Sequence, residues 1–136
     1  MNQAKAFLSE YGHAKERVAR LEAQIQEIED HMTSLTQELS ADKVQTTPKP
    51  DKIGEAVSKL SDKKLELVDA KLDAVNRMLE VEDVLKQIKD ERYYRLLWLR
   101  YISLWRWQDI ADELCYSYRG VLKVHGRALE EVNKLI

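Results

Sequence analysis

FLSEYGHAKERVARLEAQIQEIEDHMTSLTQEL, residues Phe7–Leu39, carries apolar side chains at Phe7, Tyr11, Ala14, Val18, Leu21, Ile25, Ile28, Met32, Leu35 and Leu39, in alternating steps of four and three. That period keeps an apolar seam on one side of an α-helix, and the Glu, Gln, Lys and Arg between its members fill the solvated faces. The run predicts a helix about 50 Å long at roughly 1.5 Å per residue. Gly12 costs about 1 kcal/mol relative to Ala and loosens the first turns without interrupting the seam. A seam of this kind asks for a partner helix, and Val18, Leu21, Ile25, Ile28, Met32 and Leu35 are the expected oligomerisation residues.

Outward from this helix, residues 40–52 (SADKVQTTPKPDK) gather Ser, Thr, Asp and both prolines of the chain, which predicts a loop and a reversal. From Ile53 to about Arg92 a second long helix is expected. Its apolar residues fall in two overlapping seams, Leu65, Val68, Leu72, Val75 and Leu79, then Met78, Val81, Leu85 and Ile88. Two long helices joined in this way fold back as an antiparallel hairpin. One hairpin leaves part of the wider stripe uncovered. Either the excess packs on the C-terminal domain, or two hairpins associate as a homodimer, which is the preferred expectation because an isolated hairpin buries too little surface.

Composition narrows the class. The 136 residues include 34% charged side chains but only four Gly, two Pro and one Phe, which suits helices rather than a β-sandwich. Mean hydropathy is −0.52. No apolar run is long enough to span a membrane and no signal-peptide pattern opens the sequence, so no membrane association and a cytoplasmic location are expected. The single cysteine, Cys115, offers neither an internal disulfide nor a zinc motif. The three His are scattered and there is no Gly-rich phosphate loop. No catalytic residue, metal site, cofactor or small-molecule substrate is therefore expected, and the protein reads as a non-enzyme.

The near-neutral total of −2 conceals a shift near residue 91. Residues 91–136 hold eight basic and six acidic side chains, and eight of the ten aromatics lie between Tyr93 and Tyr118. This divides the chain into residues 1–91, a helical hairpin or coiled coil for oligomerisation, and residues 92–136, a compact all-α domain. Within the latter, Ser117 can cap a helix whose inward residues are Val121, Val124, Ala128 and Val132. Tyr118, Arg119, Leu122, Lys123, Gly126 and Arg127 then face outward, with no acid between Ser117 and Leu129. A cationic helix face of this kind suits the major groove, with Arg119 and Lys123 to read bases and the capped N-terminus to hold a phosphate.

The ordered series Arg100-Tyr101, Trp107, Ile110-Ala111, Leu114, Ser117, Val121, His125 and Arg127-Ala128-Leu129 resembles the helix-turn-helix of sigma-70 region 4. The whole chain, with its heptad helix, Pro48-Lys49-Pro50-Asp51-Lys52 linker and second long helix, is similar to small phage regulators of the ArpU and RinA type. The resemblance implies a phage or prophage transcription regulator that binds double-stranded DNA and acts with host RNA polymerase. It implies base reading by Tyr118, Arg119 and Lys123 and backbone contacts from Arg100 and Arg127, beside the phosphate expected at Ser117. Two alternatives use the same residues: a polymerase-binding module that does not read DNA, and a DNA-packaging protein like a small terminase subunit.

Departures from the region 4 pattern are specific. Leu104 and Cys115 stand where Gly is common, Arg106 stands at a Ser/Thr cap position, and Leu122 replaces a usual basic residue. Trp98, Trp105 and Trp107 are expected in the core and turns rather than as base-stacking platforms. His125 fits a phosphate contact or a buried structural role equally well. His13 and His31 are expected at the surface.

Overall fold

The computed structural model describes residues 2–41 and 50–136, and every regular element among them is helical. The elements are α1 (Gln3–Ala41), α2 (Pro50–Leu85), α3 (Glu91–Leu97), a π turn (Trp98–Ile102), α4 (Trp107–Leu114) and α5 (Tyr118–Leu135). None of the described helices is long and apolar enough to cross a membrane. Both ends of the loop expected over residues 40–52 are helical, since α1 runs to Ala41 and α2 opens at Pro50. Proline suits a first helical position, where its missing N–H has no partner to lose and its φ is preset. Residues 42–49, the middle of the segment 40–52 in which the reversal is expected, lie outside the described residues.

The second helix also ends earlier than the periodicity suggests. It stops at Leu85, and α3 begins afresh after Asp90, whose side chain accepts from the Arg92 N–H at 2.9 Å. Asp is a strong N-cap because its oxygen satisfies a first-turn donor that the helix itself cannot. Apolar spacing continues through Val84, Leu85 and Ile88, so the pattern alone bridges the break.

The described residues form two compact units, one of Met1–Lys15 with Asp73–Ile136, the other of Glu16–Leu72. The larger unit has one core: Ala4 and Leu8 from α1, Val81 and Leu85 from α2, Leu96 and Leu97 from α3, Tyr101 and Ile102, Ile110 and Ala111 from α4, and Val121, Ala128, Leu129 and Val132 from α5. The compact unit holding the C-terminal helices therefore does not start at residue 92, where composition shifts. The buried seam Val81–Leu85 and the first turns of α1 complete its core. Asn133 on α5 ties the two ends together, its Oδ1 accepting the Ala4 N–H at 2.9 Å. This caps a first-turn donor of α1 from 129 residues away. Arg77 joins Glu10 at 2.9 Å and Asp73 at 3.5 Å on the half-exposed side of the same unit.

The smaller unit is thinner. Leu21 and Ile25 of α1 are buried, Val18, Ile28 and Met32 half-buried, and Leu35 exposed. On α2 Ala70 is buried while Leu60 and Leu67 are half-buried. Lys63 Nζ donates to Gln24 Oε1 at 3.0 Å, and Lys64 pairs with Glu29 at 3.3 Å. Most of the α1 seam expected to bind another chain is thus covered within this one.

Since Leu8 is fully buried in the core of the larger unit, Leu8→Ala should lower unfolding free energy by about 2–5 kcal/mol in urea titration. Residues 92–136 expressed alone should lack a cooperative unfolding transition. A sharp transition in that fragment would show that its core closes without α1 and α2.

Candidate nucleic-acid interface

The segment Trp98–Leu135 builds a pair of helices, α4 and α5, joined by Cys115–Ser117, with α3 and the π turn behind them. The approach to α4 bends at Leu104, whose φ is 60°, and the Trp105 N–H donates to the Leu99 carbonyl at 2.9 Å. Arg100 secures the bend. Its Nη1 donates to the Trp105 carbonyl at 2.9 Å and its guanidinium lies 4.5 Å from the Trp107 ring centroid. Arg106 holds the cap position of α4 without a capping bond and pairs instead with Asp109 at 3.3 Å.

Helix α4 ends where Cys115 turns left-handed, at φ 62° and ψ 37°. Its N–H donates to the Asp112 carbonyl at 3.3 Å, and the Tyr116 N–H reaches the Ala111 carbonyl at 2.9 Å. These two bonds make a Schellman closure, which normally places Gly at the left-handed position because a Cβ is crowded there. Ser117 then starts α5, its Oγ accepting the Gly120 N–H at 2.9 Å. A Cβ on residue 120 would stand 3.0 Å from that oxygen, so glycine leaves room for the cap. A Cβ on residue 126 would meet nothing within 4 Å.

The inner face of α5 is fixed by Val121, Ala128, Leu129 and Val132, all buried, with Val124 half-buried. The outer face presents Tyr118 (51% exposed) and Leu122 (38%) beside exposed Arg119, Lys123, Gly126 and Arg127. Arg119, Lys123 and Arg127 recur every four residues and so line one side of the helix. No salt bridge among the described residues engages any of the three. Ser117, Tyr118, Arg119, Lys123 and Arg127 therefore come together at the start and along the exposed side of one helix. Arg100 is half-buried and already engaged by the turn before α4.

His125 points the other way. It is buried, its Nε2 lies 2.6 Å from the Tyr101 hydroxyl, and the Trp107 ring meets it edge-on at 4.4 Å between centroids. Of its two expected roles, only the structural one fits this position. Burial, reinforced by the charges of Lys5 and Arg100, pushes the His125 pKa down to about 4, and burial raises that of Tyr101 to about 12. Both groups are neutral at pH 7. Trp98 and Trp107 are half-buried against the core, whereas Trp105 is 38% exposed at the bend. His13 and His31 are exposed, as expected. The Tyr101–His125 bond was not read from sequence, although the two residues both belong to the region 4-like series.

No protein-family model, curated protein or solved structure matches the chain.

Two measurements follow from this geometry. The Cys115 side chain is exposed, so Cys115→Gly should relieve the left-handed strain at little loss and raise stability by about 1 kcal/mol in urea titration. Because the folded His125 pKa lies below its unfolded value of about 6.5, the unfolded chain binds the extra proton. Its contribution is complete above pH 6.5 and is lost as pH falls toward 4, at up to about 1.4 kcal/mol per pH unit. Urea midpoints of the parent chain should therefore fall more steeply over this window than those of His125→Gln; equal slopes would show that His125 does not govern acid sensitivity.

Proposed function

We propose that this chain is a phage or prophage transcription regulator that binds double-stranded DNA, as a homodimer, through α4 and α5 used as a helix-turn-helix of the sigma-70 region 4 kind. The observation that carries the reading is the line Arg119, Lys123 and Arg127 on the exposed side of α5. An arginine or lysine on a groove-entering helix can donate to the O6 and N7 acceptors of guanine, and neighbouring cations fix register on phosphates. Arg119 and Lys123 are the base readers in this scheme, with Tyr118 beside them. Arg127 and the capped N-terminus at Ser117 take backbone phosphates, where the helix dipole favours an anion.

Arg100 contributes chiefly by holding the bend before α4, and any phosphate it meets would be reached by a guanidinium already bonded to the Trp105 carbonyl. Host RNA polymerase is a second proposed partner, consistent with the region 4 resemblance. The location proposed is the cytoplasm of the bacterial host.

Selection of bound duplexes from a randomised library at about 100–150 mM salt tests the reading, since nonspecific phosphate binding weakens steeply over that range. A sequence motif should be enriched. Arg119→Ala should then cost about 1–3 kcal/mol on the selected duplex and relax one position, while Arg127→Ala should weaken all sequences alike and reduce the salt slope by about one. No enrichment, together with retained polymerase binding, would replace DNA reading by a polymerase-docking role.

A further inference from the structure

We infer that the face of α2 bearing Val57, Leu65, Val68 and Leu72 is the homodimer contact, and that two copies pair along it in parallel. The inference specifies the association assumed in the proposed function and relocates it from α1 to α2. Within the smaller unit, Leu65, Val68 and Leu72 are 66%, 62% and 60% exposed, and Val57 is 47% exposed. By contrast, Leu21 and Ile25, which a dimer through α1 would need, are each only 7% exposed.

The geometry of α2 explains why α1 does not cover the stripe. Ala70 is buried, Leu60 and Leu67 are half-buried, and Lys63 reaches Gln24 of α1, which defines the covered side. Val68 and Leu72 each stand two residues from Ala70, about 200° around the helix at roughly 100° per residue. The stripe thus occupies the side away from α1. Its steps of three and four place Leu65 and Leu72 at a positions and Val68 at a d position, a seam for another helix. Apolar patches of several hundred Å² on soluble chains commonly mark interaction surfaces.

Charge supplies the occupant and its direction. One edge of the stripe carries exposed Lys64 and Lys71, the other exposed Asp62 and Asp69. In an antiparallel self-pairing, each edge meets its own kind, lysine against lysine and aspartate against aspartate. A parallel, in-register pairing instead sets Lys64 opposite Asp69 of the partner subunit, by the usual g-to-e′ offset of five residues, and symmetry repeats the pair. Lys64 has an in-chain alternative in Glu29 at 3.3 Å, but both side chains are exposed and that pair can exchange. Asp69 has no salt-bridge partner among the described residues. A second copy of this chain therefore offers both the apolar seam and the opposite charges that the face requires.

Light scattering and cysteine crosslinking of the full chain test this without DNA, so failure of DNA reading leaves the result interpretable. At tens of micromolar the mass should be twice 15.9 kDa. Leu65→Asn with Leu72→Asn should return it to the single-chain value with helical circular dichroism retained, because both side chains are exposed. In a Cys115→Ser background, Val68→Cys and Leu72→Cys should each give disulfide-linked dimers, since equivalent a and equivalent d residues face one another only in a parallel pair. Lys64→Asp should weaken association at least several-fold, and adding Asp69→Lys should restore it. A single-chain mass for the parent, or crosslinking at just one of the two positions, would overturn the assignment.

Discussion

The burial of Leu8 and Ala4 in one core with Val121, Ala128 and Val132 is the constraint on which the larger unit depends. Helices α3 and α4 are short, with seven and eight residues, and the inward faces of α3 to α5 share their core with apolar residues of α1 and α2. These come from the first turns of α1 and the last turns of α2. Asn133 adds a polar lock by accepting the Ala4 N–H, so a buried helix start does not leave a donor without a partner. The orientation of the α5 outer face consequently depends on residues at the opposite end of the sequence.

Around that core, polar and strained features act locally. Arg100 joins the Trp105 carbonyl and the Trp107 ring, and Trp107 in turn meets His125, which bonds Tyr101. This chain of contacts links the π turn, the start of α4 and the inner side of α5. Two non-glycine residues in left-handed conformation, Leu104 and Cys115, define the bends on either side of α4. The arrangement fixes which side of α5 is exposed.

Much of the local structure was legible in the sequence. The span Trp107–Leu114, the Ser117 cap and the inward set Val121, Ala128 and Val132 follow from capping and 3.6-residue periodicity, both of which are local properties. Leu104 and Cys115 stood out as residues in glycine positions, and both adopt positive φ. The break after Leu85 was hidden because apolar spacing runs on to Ile88, although Asp90 before Glu91 carried a usable cap signal. Contacts between distant residues were not legible: nothing near Asn133 announces Ala4, and nothing near Arg100 announces that its guanidinium serves a neighbouring carbonyl. The excess stripe on α2 was visible as a pattern, but which of its two seams stays exposed depended on where Val81 and Leu85 packed.

The Asn133–Ala4 bond has a consequence for how the protein is made. The partners of the first helical turns lie in the last helix, so during synthesis α1 emerges long before the residues that enclose Leu8. Until those residues arrive, the start of α1 exposes an apolar face and unmet backbone donors to whatever else is present. Contacts of such long sequence separation carry a large loop-closure entropy and slow folding relative to a simple local bundle. The nascent chain therefore passes through an interval in which α1 has emerged and the residues that close the core around Leu8 have not.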